Sequence, residues 1–84
     1  MTCYAAAALH NLVEGSSRNK NAVRAAGAIP RLVQLLDCDV GNPVVEVTVR
    51  TLDKMSEKFE DAQADIRRTG GIGKLVELQT KSLL

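Results

Sequence analysis

Apolar and polar residues alternate along this chain with the spacing of helices. Ala5, Ala8, Leu9 and Leu12 fall at i, i+3, i+4 and i+7, one stripe of a helix over 3–14, and Gly15-Ser16-Ser17 ends it. A short helix follows from Asn19 or Asn21, either of which suits a cap, to Ala26, and Gly27 breaks it. Pro30 occupies a first-turn position and opens a helix through Leu32, Val33, Leu35 and Leu36 to about Asp37. After a loop over 38–41, Asn42-Pro43 reads as a cap and first-turn proline for a helix over 43–57. The run 44–49 is rich in β-branched valine and taken alone favours a strand, yet Val44, Val47, Thr48, Thr51, Leu52 and Met55 keep a helical stripe. A short helix over 61–69, a break at Gly70-Gly71 and a last helix from Ile72 to Leu83 complete the chain.

These elements repeat. Gly27-Ala28-Ile29-Pro30-Arg31-Leu32-Val33-Gln34-Leu35 aligns with Gly70-Gly71-Ile72-Gly73-Lys74-Leu75-Val76-Glu77-Leu78, an offset of 43 residues with five of nine positions identical. The same offset sets Val23-Arg24 on Ile66-Arg67, and Ala5, Ala8, Leu9 and Leu12 on Thr48, Thr51, Leu52 and Met55. A period of about 40–47 residues built from helices marks a stacked superhelical array. The expected fold is therefore all-α, six helices in a right-handed α–α superhelix. Ile29, Leu32, Leu35, Ile72, Leu75 and Leu78 are expected in one core, joined by Leu9, Leu12, Leu52 and Met55. The offset also favours helix over strand for 44–49. The 84 residues hold under two periods and begin and end inside one, so the chain reads as a piece of a longer array.

Composition narrows the function. Net charge is +1, so no global field recruits nucleic acid or an anionic membrane. Tyr4 and Phe59 are the only aromatics, too few to make stacking platforms for single-stranded nucleic acid. Cys3 and Cys38 form no CxxC pair and no disulfide framework, and reduced thiols suit the cytoplasm or nucleus. Ala5–Leu9 is too short and has no basic flank, so it is neither signal peptide nor membrane span.

The stretch 19–36 (NKNAVRAAGAIPRLVQLL) and the alanine-rich 5–12 (AAAALHNL) resemble the armadillo-repeat family, over residues 3–80. The resemblance implies repeats of a short first, a second and a long third helix, with third helices lining a concave groove that holds extended partner peptides. It divides the chain into a third helix (3–14), a complete repeat (19–57) and the first two helices of another (61–84). The family's nuclear-import receptors carry a groove Trp and, four residues later, an Asn. Those positions fall here on Ala7 and Asn11, and on Arg50 and Lys54. Only Asn11 matches, and Arg50 and Lys54 would repel a basic import signal. The catenin-like branch, whose groove offers basic residues to acidic peptides, fits better; other armadillo proteins, such as plant ubiquitin-ligase repeats, fit equally well.

Arg50 and Lys54 share a helix face at i, i+4 and could meet partner carboxylates, with Asn11 donating to a peptide backbone. The competing reading is a solvated charged face, the usual state of such pairs. His10, the lone histidine, fits the groove rim beside Ala7 and Asn11; no second histidine is present to build a metal site or catalytic dyad with it. Gly70-Gly71-Ile72-Gly73-Lys74 is no phosphate loop, since Arg68 and Leu75 stand where the pattern requires Gly and Ser or Thr. No catalytic set, metal ligand or cofactor motif emerges, so the chain is expected not to be an enzyme. The expected function is a scaffold whose groove binds a protein or extended peptide, acidic partners fitting best. The alternative is an assembly segment that stacks on further repeats or self-associates without binding peptide.

Overall fold

The computed structural model describes residues 1–38 and 41–82, and these contain helices and no strand. The order is α1 (Cys3–Val13), α2 (Ser17–Ala25), α3 (Ala28–Leu35), α4 (Pro43–Ser56), α5 (Glu60–Arg68) and α6 (Gly71–Ser82). They stack into a body of 38 × 25 × 19 Å. The valine-rich run 44–49 is helical throughout. Asn42 caps α4 by accepting from the Val44 amide at 3.0 Å, and Pro43 supplies a preset first turn. Val44, Val45, Thr48, Thr51, Leu52 and Met55 then form a buried face that outweighs the β-branched preference.

The short helices differ from the sequence reading at their starts. Ser16, not Asn19 or Asn21, caps α2, accepting from the Asn19 amide at 3.2 Å, so residues 17 and 18 are helical. Asn19 instead turns back and donates its side-chain amide to the Leu12 carbonyl at 2.8 Å. α3 starts at Ala28, two residues before Pro30, because Gly27 makes the turn itself. Its φ of 79° lies in the left-handed region open to glycine, and Gly70 repeats it at 80° before α6. Pro30 is tolerated as the third helical residue, since the first four amides of a helix have no partner within it. Part of the expected 38–41 loop and Leu83, at the expected end of α6, lie outside the described residues.

The main core joins Val13, Val23, Ile29, Leu32, Leu36, Leu52, Met55 and Ile66. A smaller cluster sets Ala6 against Val44 and Val45, with the free, half-buried Cys3 and Cys38 beside it. α1 packs chiefly on α4, and the two elements of each short pair lie against their own neighbours. Thr51 donates its hydroxyl to the Val47 carbonyl at 2.8 Å and stands 3.2 Å from the Ala6 carbonyl, tying α4 closely to α1. The stack is also clamped on one side by ion pairs. Arg24 on α2 reaches Asp65 on α5 through Nε at 2.6 Å, Arg68 meets the same carboxylate, and Lys74 on α6 pairs with Asp37.

Two expectations about the core are corrected. On α1, Ala5, Ala8 and Leu12 are exposed, while Ala6 and Val13 are buried and Leu9 is half-buried. The buried face of α1 is the one that meets α4, not the one equivalent to the inward stripe of α4. In the second copy Ile72 is 52% exposed whereas Ile29 is 1% exposed; Leu75 and Leu78, like Leu35 in the first copy, are half-buried and pack against the main core as expected. Ile29 and Leu32 are covered by Leu52 and Met55 of α4; among the described residues no helix lies over Ile72 in the same way.

Candidate functional site

Two helices of the same repeat position, α1 and α4, lie side by side and carry the residues of interest. On α1, Asn11 is exposed and Ala7 and His10 are half-buried. Ala7 and Asn11 are one turn apart on a shared face. Asn11 makes no side-chain hydrogen bond among the described residues, so its amide can serve a partner's backbone. His10 uses its carbonyl to accept from the Glu14 amide at 3.1 Å, closing the end of the helix.

On α4, Arg50 and Lys54 likewise share a face, and each has an acidic neighbour within the helix or its cap. Arg50 bonds Glu46 at 2.8 Å and Lys54 pairs with Glu57 at 3.6 Å. The first pair is open to water, the Arg50 side chain 67% exposed and that of Glu46 70%, whereas Lys54 is 33% exposed beside a Glu57 at 56%. An exposed i, i+4 pair such as Glu46–Arg50 contributes about 0.3–0.5 kcal/mol. The i, i+4 spacing of Glu46 and Arg50 signals the first pair; Glu57 is the acidic neighbour that sequence reasoning missed.

Two clefts meet this set of residues only at Arg50. An open cleft of about 560 Å³ runs between α4, α5 and α6, floored by Val49, Leu52, Ile66, Ile72 and Leu75 and rimmed by Arg50, Asp53 and Arg67. A second, of about 550 Å³, continues along α4 and α6 past Val45, Glu46 and Leu78. Arg50 borders both, whereas Ala7, His10, Asn11 and Lys54 border neither. Apolar walls bounded by a few charges suit a packing helix rather than chemistry. No group of three His, Cys, Asp or Glu side chains gathers as metal ligands among the described residues, and no helix there is long and apolar enough to cross a membrane.

Among known proteins, no curated sequence and no solved structure matches the chain. A family model does: residues 16–56 match the Armadillo/beta-catenin-like repeat. That span encloses the Ser16 cap, α2, α3 and all of α4. Such repeats generally act as non-enzymatic scaffolds for protein–protein interaction. The motif, the helix order and the match agree: residues 16–56 have the sequence and helix order of an armadillo repeat.

Proposed function

We propose that the chain holds an extended segment of a partner protein across α1 and α4, the partner's acidic residues meeting Arg50 and Lys54. Asn11 donates to the partner's backbone, and Ala7 and His10 leave room for its side chains. The observation that supports this is the packing of α1 on α4 with equivalent i, i+4 pairs on each, Ala7/Asn11 and Arg50/Lys54. Short-range charge of this sort sets partner choice and encounter rate more than total affinity. The alternative, an assembly segment without bound peptide, draws support from the open apolar cleft beside α4.

Fluorescence anisotropy with a labelled acidic peptide tests the reading. Lys54→Ala and Arg50→Ala are expected to weaken binding several-fold at low salt, with the difference shrinking as salt screens the charges. Asn11→Ala is expected to weaken binding independently of salt. Glu57→Gln, which releases Lys54, is expected to strengthen it. Equal binding by Lys54→Ala at low salt overturns the acidic-groove reading and leaves the assembly role.

A further inference from the structure

α1 and α4 end in the same way. Glu14 is the C-cap of α1, and Glu57, one 43-residue offset along, is the C-cap of α4. The two helices run side by side in the same direction. Cys3 and Ala6 at the start of α1 pack with Val44 and Val45 at the start of α4, and Val13 at its end joins Met55 in the main core. Both carboxylates therefore lie at one edge of the α1–α4 surface. Each also continues the face already described, at i, i+4 and i+7: Ala7, Asn11 and Glu14 on α1, and Arg50, Lys54 and Glu57 on α4.

A carboxylate at a helix C-terminus faces the negative end of the macrodipole, which is unfavourable. At α4 that charge is answered. Lys54 pairs with Glu57 at 3.6 Å, and Lys20 reaches across from α2 to donate to the Glu57 carbonyl at 3.0 Å. At α1 it is not. Asn11 stands where α4 has Lys54, and the last turn holds His10 in place of a lysine. The exposed Glu14 side chain makes no hydrogen bond or ion pair among the described residues. Glu46 and Glu57 are engaged by Arg50 and Lys54, so Glu14 is the carboxylate of these two faces that is open to an incoming cation.

We propose that Glu14 receives a basic side chain of the bound segment, so that the partner sets an acid over α4 and a lysine or arginine over the end of α1. This rests on the peptide-binding reading and sharpens it, from an acidic segment to one of mixed charge. The spacing of the two charges follows from geometry. Packed helices lie about 8–10 Å apart and an extended chain advances about 3.3 Å per residue, so base and acid stand about three positions apart. An odd separation also fits the surface. Glu14 lies about two turns beyond the level of Arg50 along the parallel helices. Residues an odd number of positions apart in an extended chain point to opposite sides, so the base turns toward the helix ends and the acid back toward Arg50.

Fluorescence anisotropy at low salt with two labelled extended peptides tests it. One carries a lysine three positions to each side of its acidic residue, so that either chain direction is served; the other has glutamine at both places. The unaltered chain is expected to bind the lysine peptide several-fold more tightly than the glutamine peptide, a preference that shrinks as salt rises. Glu14→Gln is expected to abolish the preference and Glu14→Lys to reverse it. Glu14 is exposed, and any general effect of its substitution on the fold moves both peptides alike, whereas the charge contact moves only their ratio. No lysine preference in the unaltered chain, or a preference that survives Glu14→Gln, overturns the proposal and leaves the acidic-groove reading standing if Arg50→Ala and Lys54→Ala still weaken both peptides. If those two variants weaken neither peptide, the groove reading fails and this proposal falls with it.

Discussion

Gly71→Ala and Gly73→Ala change the same residue type two positions apart in α6, and the packing assigns them opposite signs. A Cβ on Gly71 would stand 2.6 Å from Ile66 Cγ2, 3.0 Å from the Ile66 carbonyl oxygen and 3.2 Å from Val33 Cγ2. Ile66 is buried and β-branched, so its methyl cannot swing to another rotamer freely, and its carbonyl is fixed in α5. Relief requires α6 to move off α5 and α3. Overpacking of this kind costs about 1–3 kcal/mol, and removing a glycine returns roughly 0.5–1 kcal/mol. The net runs from near zero to about 2.5 kcal/mol, with a central loss of about 1 kcal/mol, a fall in Tm of about 4–8 °C for a domain of this size. At Gly73 the added Cβ meets nothing within 4 Å, so only the helix-propensity gain remains, up to about 1 kcal/mol. Thermal and urea unfolding followed by circular dichroism, at one low protein concentration so that association contributes equally, measures both. A Gly71→Ala variant as stable as the parent, or a shared sign for the two, refutes the close packing of α6 on α5.

Three further outcomes follow from the core and the turns. Leu32→Ala, at a fully buried side chain in the main cluster, should lose about 2–5 kcal/mol in urea unfolding, and a loss under about 0.5 kcal/mol would place Leu32 outside the core. Lys58 holds φ of 54° at the position where the first period has Gly15 at 74°, so Lys58→Gly should gain on the order of 1 kcal/mol in the same assay, with no gain arguing against the left-handed turn. Thr48→Val removes a buried hydroxyl that lacks a partner among the described residues and should raise stability by about 1 kcal/mol, whereas a loss would reveal a hydrogen bond at that site.

The order of helices was legible because glycines and caps punctuate the chain where the backbone needs them. Gly27 and Gly70 take the same left-handed turn one period apart, and Asn42-Pro43 starts α4 as its spacing implies. The valine run 44–49 became readable as helix only through the offset, since local propensity points the other way. The face of α1 was not legible. Ala5 to Leu9 is apolar on every side, so the i, i+3, i+4, i+7 stripe of Ala5, Ala8, Leu9 and Leu12 is only one of several phases that these residues allow. In the folded chain α4 covers the neighbouring face instead, burying Ala6 and Val13. The candidate site was legible as positions but not as electrostatics: Arg50 and Lys54 were identifiable, their pairing with Glu46 and Glu57 only partly so, because the Glu57 contact depends on how the chain turns after Ser56.

The central claim is that partner protein is held on the exposed faces of α1 and α4. Photo-crosslinking an acidic, extended peptide to the chain, followed by digestion and mass mapping, tests it most directly. The expected crosslinks fall on the turns carrying Ala7, His10 and Asn11 and on those carrying Arg50 and Lys54, and they fade as salt rises. Crosslinks confined to α2 and α5, or spread evenly over the surface at every salt concentration, would contradict it.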